Sequence, residues 1–437
     1  MKKPLKMVPI LFILMLIFTG CSSETKSKQT GAGSKQPAKT IKLLTNGNNN
    51  NGDFRALKAI YEQYRKEVNP NFKMEIESIP NQSQYFQKLQ TYIASNQMPD
   101  LFKLPNGPLA ETLVKQGKLV DMKKTLTDFG KLDQFNKSVI DFLSFEDGSL
   151  YLYPEGTFGE AFWYWKKPFE ENHIAIPKTY DEFIAACEKL KQAGYTPIAV
   201  AGKERWQLIR YLSFIPLRLT HTDFINQLKT GDEKLSGDLG MQAVNFLYTL
   251  GKKGFFQKGF SNMDYTQGLN YFLGGKAVIH YNGSWELDKL KTEYEKGNIG
   301  YFFDPDVAGG KNIGPHTSIT SGLAYALNKQ KFDKTTKDFF KYVVDHWGQY
   351  IYEKGGEMSP MKGDIPEEAP KLMKDFSSDL AKVTQGGVSW DDKLDPATTE
   401  AMGTAANELA LGMITPKAFA KRMDEAIKEN APKFFGK

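Results

Sequence analysis

The sequence predicts an α/β protein of two lobes, and three observations carry that expectation. From residue 40 onward, strand and helix patterns alternate in the order strand, helix, strand, helix, strand. That order suits a mostly parallel sheet flanked by helices. The same grammar returns after residue 180. A chain of 437 residues also exceeds what one hydrophobic core comfortably fills, so it divides.

The elements follow in order. "TIKLLTNG" (40–47) alternates loosely and opens as a strand. After the polar loop "NNNNGD", Ala56, Ile60, Tyr61 and Tyr64 recur at helical spacing across 54–68. Asp53 stands where a helix cap belongs. "NPNFKMEIESIP" supplies a turn and a second strand, "SQYFQKLQTYIASNQ" an amphipathic helix, and "MPDLFKLP" a short strand. Later, "YDEFIAACEKLKQAG" (180–194) reads as a helix stopped by Gly194. The free Cys187 on its apolar face reads as a buried small hydrophobe. "YTPIAVAG" (195–202) is a buried strand, and "NYFLGGKAVIHYNGSWELDKLK" holds a strand, a turn and a helix start. "TSITSGLAYAL" is β-like, and "KTTKDFFKYVVDHWGQYIYEKGG" is a helix with a glycine stop. The tail carries two helices parted by "MITP", with Pro416 opening the second. In "EGTFGEAFWYWKKPF" (155–169), strand alternation sets Phe162 and Tyr164 against Trp163 and Trp165.

Ahead of the first strand, three lysines precede the apolar run "VPILFILMLIFTG", which ends at Cys21. This is the pattern of a secretory signal, and it is short for a membrane span. Residues 1–20 are therefore expected to be a signal peptide, and 21–39, rich in Ser, Thr, Lys, Gly and Gln, a flexible tether. Once Lys2, Lys3 and Lys6 leave with the signal, the formal charge of +6 falls to +3, which points to no nucleic-acid partner. The five histidines are scattered, and no HExxH or paired-cysteine spacing is present, so neither metal nor cofactor is expected.

"FTGC" resembles the lipobox of bacterial lipoproteins, with Phe18 where leucine is usual. It implies a lipid, such as palmitate, on Cys21, and an outer-face membrane anchor in a single-membrane, Gram-positive-like host. Four further stretches carry a second resemblance. These are "YEQYRKEVNPNFKMEIESIPNQSQYFQKLQTYIASNQMPDLF", the segment from "YLYPEGTFGEAFWYWKKPF" to "YTPIAV", "FLGGKAVIHYNGSWEL", and "FFKYVVDHWGQYIYEKGGEMSPMKG". In this order the chain resembles the extracellular solute-binding proteins of bacterial ABC importers, the family 1 carbohydrate binders related to maltose-binding protein. The resemblance implies a type II periplasmic-binding-protein-like fold, with the ligand in a cleft between two lobes. The N-terminal lobe is expected at 40–148 and 308–358, the C-terminal lobe at 149–307 and 359–437. It also implies a monomer that binds a carbohydrate and hands it to the transmembrane permease subunits of an ABC importer.

Sugar chemistry selects the candidate residues. A pyranose offers hydroxyls at its edge and nearly apolar C–H faces, so a binding cleft needs aromatic rings for the faces and hydrogen-bonding groups for the rim. A hydroxyl buried without a partner costs about 1–3 kcal/mol. Trp285, after the turn "YNGS", is the leading stacking candidate, with packing between lobes as its structural alternative. Trp206 and Glu204 lie in "AGKERWQL", just beyond a buried strand, and Trp390 in the glycine-flanked "QGGVSWDDKLDP". Solvated surface is the alternative for Glu204, lid packing that for Trp390. On the first lobe the candidates are Asn48 and Asn50 in the Asn-rich loop, and Asn106 in "LPNGP". At the first crossing, Glu155 and Thr157 suit the cleft rim, and Tyr164 is the one ligand-facing candidate of the aromatic strand.

Three or more tryptophans suit an oligosaccharide. A non-sugar solute such as a peptide or organic anion is the alternative on the same scaffold. A surface glycoside hydrolase is the remote one, since it needs a defined carboxylate pair that 51 acidic residues cannot single out. No nucleophile elbow is present, and binding without catalysis is expected.

Overall fold

Nine strands organise the described residues: β1 (Lys39–Thr45), β2 (Phe72–Ser78), β3 (Leu101–Leu104), β4 (Phe158–Trp165), β5 (Ile198–Ala199), β6 (Ile279–Gly283), β7 (Ile299–Phe302), β8 (Ile319–Thr320) and β9 (Ala324–Leu327). They come from a computed structural model that describes residues 37–435 except 146, 311–313, 364, 384–385 and 389, and leaves out the side chains of Ser83 and Asp392. The signal segment, Cys21 and all but the last three residues of the expected tether lie outside the described residues, and β1 already begins at Lys39.

Two separate sheets form. The first has the order β2-β1-β3-β9 and the second β5-β6-β4-β7, with β8 paired to the start of β4. In the first sheet β1 runs parallel to β2 and β3, as the strand–helix–strand grammar requires, while β9 joins β3 antiparallel. The second sheet departs from the expected parallel pattern, because β4 is antiparallel to both β6 and β7 and only β5–β6 is parallel. The reason is topological. β4 and β9 each enter a sheet from the other half of the molecule, so no helical crossover sets their direction.

Each sheet has its own core. Residues between 41 and 153, rejoined by 324–351, bury Leu44, Phe102, Phe340 and Trp347 around the first sheet. Around the second, Phe162 packs on one face with Phe183, Phe214, Tyr281 and Phe302. Ala161 and Trp163 pack on the other face with Phe272, Leu287 and Phe376. The period-two alternation of β4 is thus used in full, since the strand is covered on both faces. Cys187 is fully buried in the first of these faces, inside the helix Tyr180–Gln192.

Three crossings join the halves side by side. Phe158 and Gly159 of β4 pair with Thr320 and Ile319 of β8. Ser321 donates its hydroxyl to the Gly156 carbonyl at 2.8 Å. The Thr157 N–H donates to the Met358 carbonyl at 3.0 Å. The junction is therefore a small hydrogen-bonded unit of its own, and three strands of chain tie down the loops that leave it.

Trp163 is fully buried, stacks on Phe376 at 5.5 Å and donates its indole N–H to the Asn282 carbonyl at 2.9 Å. Truncating such a ring leaves a cavity and an unpaired carbonyl. Trp163→Ala is expected to lower unfolding free energy by about 3–5 kcal/mol, read as a fall in the urea midpoint.

Candidate functional site

The aromatic centre of the molecule is assembled at the ends of β5 and β6 and the start of β4. After β5 the chain is pinned by glutamines: Gln257 bonds Val200 at both N–H and C=O, and Gln207 accepts from the Ala201 N–H at 2.6 Å. A short turn, Gly202–Glu204, leads to Arg205 in the left-handed region at φ 64°. A non-glycine residue adopts that conformation only where its surroundings impose it. Arg205 pairs with Glu400, and Trp206 then opens the helix Trp206–Thr220.

Trp285 comes from β6. A Cβ at Gly283 would overlap its six-membered ring, so the missing side chain at 283 lets the indole fold back over the strand end. The Trp206 and Trp285 rings lie 6.0 Å apart at 64°. Both are half-buried, unlike the fully covered Trp163, Trp347 and Trp390. Phe158 supports Trp285 edge-on at 5.8 Å, and Tyr265 lies 6.2 Å from Trp206.

Tyr265 organises the polar side. It opens the helix Tyr265–Leu273, whose start is fixed by a reciprocal capping box between Asp264 and Gln267. Its hydroxyl accepts from the Trp285 indole N–H at 2.7 Å and from the Asn282 amide at 3.0 Å, and donates to Glu286 at 2.6 Å. Burial, reinforced by Glu286, pushes the Tyr265 hydroxyl well above its ordinary pKa. It therefore stays protonated and the chain of bonds keeps one direction. Below it, burial lowers His280 to about 4, so the imidazole is neutral and bonds the Ala199 carbonyl through Nδ1 at 2.9 Å. Burial likewise raises the carboxyl of half-buried Glu204.

A second cluster sits where the crossings meet the first sheet. The Lys103 ammonium, at the end of β3, lies 2.8 Å from both Asp53 and Glu155 and is nearly inaccessible. Tyr325 of β9 donates to Asp53 at 2.6 Å. Glu357, on the third crossing, accepts from the Gly52 N–H at 3.0 Å. Three carboxyl groups cluster here, two of them, Asp53 and Glu155, directly on the ammonium. Burial and the Asp53 charge push the Glu155 carboxyl up to about 8, and burial also raises Glu357 well above its usual range. Asp53 is thus an ion-pair partner inside the helix Gly52–Glu67 rather than its cap, a position that falls to Asn51.

The other sequence candidates divide. Thr157 donates its hydroxyl to the Ser359 carbonyl at 2.9 Å, which ties it to the third crossing beside Glu155. Asn48 spends its side-chain oxygen on the Asn50 N–H at 2.8 Å, inside its own loop, and Asn50 is exposed. Asn106 is buried and donates to the Phe142 carbonyl. Trp390 departs from the expected ligand-facing role. It is fully buried against Phe224 at 5.7 Å because its loop folds into a short helix, Trp390–Lys393, on the second core. Tyr164 lies six residues along β4 from Phe158, about 20 Å at strand rise, and packs on Phe169 and Phe302. Its position is a packing one.

Phe158, Tyr265 and Arg210 escaped the sequence reading. Tyr265 gave no local signal, since its partners lie 17 to 21 residues away. Arg210 did give one: it stands one helical turn after Trp206. Among the described residues no group of three or more His, Cys, Asp or Glu could hold a metal.

Two sheets joined by three crossings, with aromatic rings clustered at strand ends beside the junction, define a two-lobed binding protein. A profile of the bacterial extracellular solute-binding protein family matches residues 48–350, and the chain belongs to that family. It is an extracellular family of binding proteins, not of enzymes. The multiple sugar-binding protein of Streptococcus mutans is 28% identical over 322 residues, which span 70% of this chain and 72% of that protein. The melibiose/raffinose/stachyose-binding protein MelE of Bacillus subtilis is 23% identical over 219 residues, 49% of this chain and 47% of that one. A solved chitin oligosaccharide binding protein shares the fold with a TM-score of 0.80 at 22% identity, covering 90% of this chain and 99% of its own. RafE in complex with raffinose does so at 0.68 and 20%, covering 89% and 99%. No described helix is long and apolar enough to cross a membrane.

The crossing cluster makes a pH prediction. Glu155 has its folded pKa raised from the ordinary 4.5 to about 8. The folded state therefore holds a proton that the unfolded state has released. Its contribution is complete below about 4.5 and is lost as pH rises towards 8. In Glu155→Gln, urea midpoints measured between pH 5 and 8.5 should fall less steeply with pH than in the parent protein.

Proposed function

We propose that this protein is the substrate-binding lipoprotein of an ABC importer. It takes a sugar, most simply an oligosaccharide, between its lobes and delivers it to the membrane permease subunits. The observation that carries this reading is the pair of half-buried indoles, Trp206 and Trp285, set at 64°, with the Trp285 N–H fastened to a directional hydrogen-bond chain through Tyr265. An indole held by its own N–H, as Trp285 is, keeps its faces for C–H surfaces. Two faces at an angle suit more than one sugar ring. The names of the Streptococcus mutans and Bacillus subtilis relatives, and the chitin oligosaccharide binding protein and raffinose complex among the fold neighbours, support the same class.

In this reading the N-terminal lobe comprises 40–148 and 308–358 and the C-terminal lobe 149–307 and 359–437, with the crossings falling a few residues from those bounds, since Leu150, Leu152 and Tyr153 pack in the first core and Ile319 and Met358 pack with the second sheet. Trp206, Trp285 and Glu204 form the second lobe's contact surface, Glu155 and Thr157 the floor at the crossings, and Asn48, Asn50 and Asn106 the first lobe's contribution. The receptor works as a monomer on the outer face of the membrane, held by lipid on Cys21. Closure over the sugar is a domain motion biased by contacts to both lobes.

A thermal-shift panel of raffinose, stachyose, xylo-oligosaccharides and chitin oligosaccharides, with oligopeptides and citrate as controls, tests the ligand class. At a hundredfold excess over Kd the bound sugar should add about 2.7 kcal/mol of stability. Stabilisation by peptide or citrate but by no sugar refutes the assignment. Trp285→Ala should weaken binding of the best sugar about thirtyfold, the factor for an anchor worth ~2 kcal/mol, as measured by calorimetry. For the anchor, Cys21→Ser should move the protein from the membrane fraction into the medium and abolish incorporation of labelled palmitate.

A further inference from the structure

Beneath the Trp206 ring lies an arginine that the binding reading has not used. Arg210 stands one turn further along the same helix, and its guanidinium carbon is 5.0 Å from the centre of the Trp206 ring. Its Nε donates to both carboxylate oxygens of Glu160, at 2.9 and 3.1 Å, and its Nη1 pairs with Asp391. Glu160 is completely buried on β4, and Arg210 itself is 6% exposed. Glu160 is thus no surface group that happened to be near. Asp391 belongs to the short helix begun by buried Trp390, so the C-terminal part of the chain reaches the site through this ion pair.

The backbone of Glu160 is also spoken for. Its N–H donates to the Ser318 carbonyl at 3.2 Å, and its carbonyl accepts the Thr317 hydroxyl. Thr317 and Ser318 lead into β8, the second crossing. One residue therefore fastens the crossing by its backbone and the guanidinium by its side chain.

We infer that Arg210 is a positioning residue for the sugar platform. Its guanidinium, oriented by Glu160 and Asp391, holds the Trp206 ring at its angle to Trp285 and couples that angle to the second crossing. A planar guanidinium can lie flat beneath an indole while donating in its own plane to two carboxylates. A lysine keeps the charge and loses the plane, so this site distinguishes the two.

The test needs no ligand for its first arm. Two indoles 6.0 Å apart at 64° give an exciton couplet in the circular dichroism of the parent protein, which Trp206→Leu identifies by removing it. Arg210→Lys should reduce the couplet by about half or more while the protein remains folded. Loss of Arg210 alone strands a buried carboxylate, so the paired replacement Arg210→Met with Glu160→Leu serves as a second variant that removes both charges together. It too should lose the couplet. A couplet of parental strength in both folded variants overturns the inference.

The second arm rests on the sugar-binding reading and uses raffinose, or whichever panel sugar binds best. Arg210→Lys should weaken its binding about fivefold in the parent and not at all in the Trp206→Leu background. An equal loss in both backgrounds shows that Arg210 acts other than through Trp206, and overturns the inference. If no sugar binds the parent, the proposed function fails, while the couplet still decides the role of Arg210.

Discussion

The buried ammonium of Lys103 is the interaction on which the junction depends. It comes from the end of β3, and its two carboxyl partners come from the first long helix and the first crossing. A charge so covered is tolerable only with partners in place, and removing one typically costs about 3–5 kcal/mol. Because Glu155 lies on the crossing, the electrostatic need of one lysine fixes where the chain leaves the first sheet. Phe158 comes three residues later and supports Trp285, so the placement of the aromatic pair descends from that same point. The third carboxylate, Glu357, brings the last crossing to the N-terminal end of the same helix.

Much of this was legible in the sequence, and the reasons are local. Strand and helix periodicity located β1 to β3 and their helices, because each pattern is set by neighbours within a few positions. Trp206 and Trp285 could be singled out since each follows within a short loop of a buried strand, and strand ends are where a sheet exposes side chains. Sheet direction in the second half was not legible. Whether β4 runs parallel or antiparallel to β6 depends on how the chain re-enters after leaving the other sheet, and no local pattern records that. Trp390 failed for a related reason. Glycines at 386 and 387 suggested a permissive loop that could turn the ring towards the cleft, whereas the apolar surface around Phe224 draws the ring inward. Asp53 looked like a cap because caps are the common use of Asp before a helix, and its true partner lies 50 residues away.

The six tryptophans show how one residue type divides between holding a fold and presenting a surface. Trp163, Trp347 and Trp390 are fully enclosed, and Trp163 and Trp347 each give their N–H to a backbone carbonyl. Trp165, half-buried at the far end of β4, does the same with the Phe272 carbonyl. Trp285 instead gives its N–H to a side chain, the Tyr265 hydroxyl, which is itself part of a chain ending in Glu286. Trp206 is braced by a cation. Side-chain partners can be exchanged without altering the backbone, so a ring held in this manner can be re-aimed while the sheet beneath it stays the same.

Gly283 is the smallest part of that arrangement. The space a methyl group would take there is filled by the Trp285 indole. A position with no side chain, out of reach of any solute, therefore governs how a large ring is offered to solvent. Engineers who wish to retarget such a receptor usually vary the residues that touch the cargo. Here the more powerful dial is an atom that is absent: adding one carbon at 283 would displace the indole in a single step, with no other residue replaced.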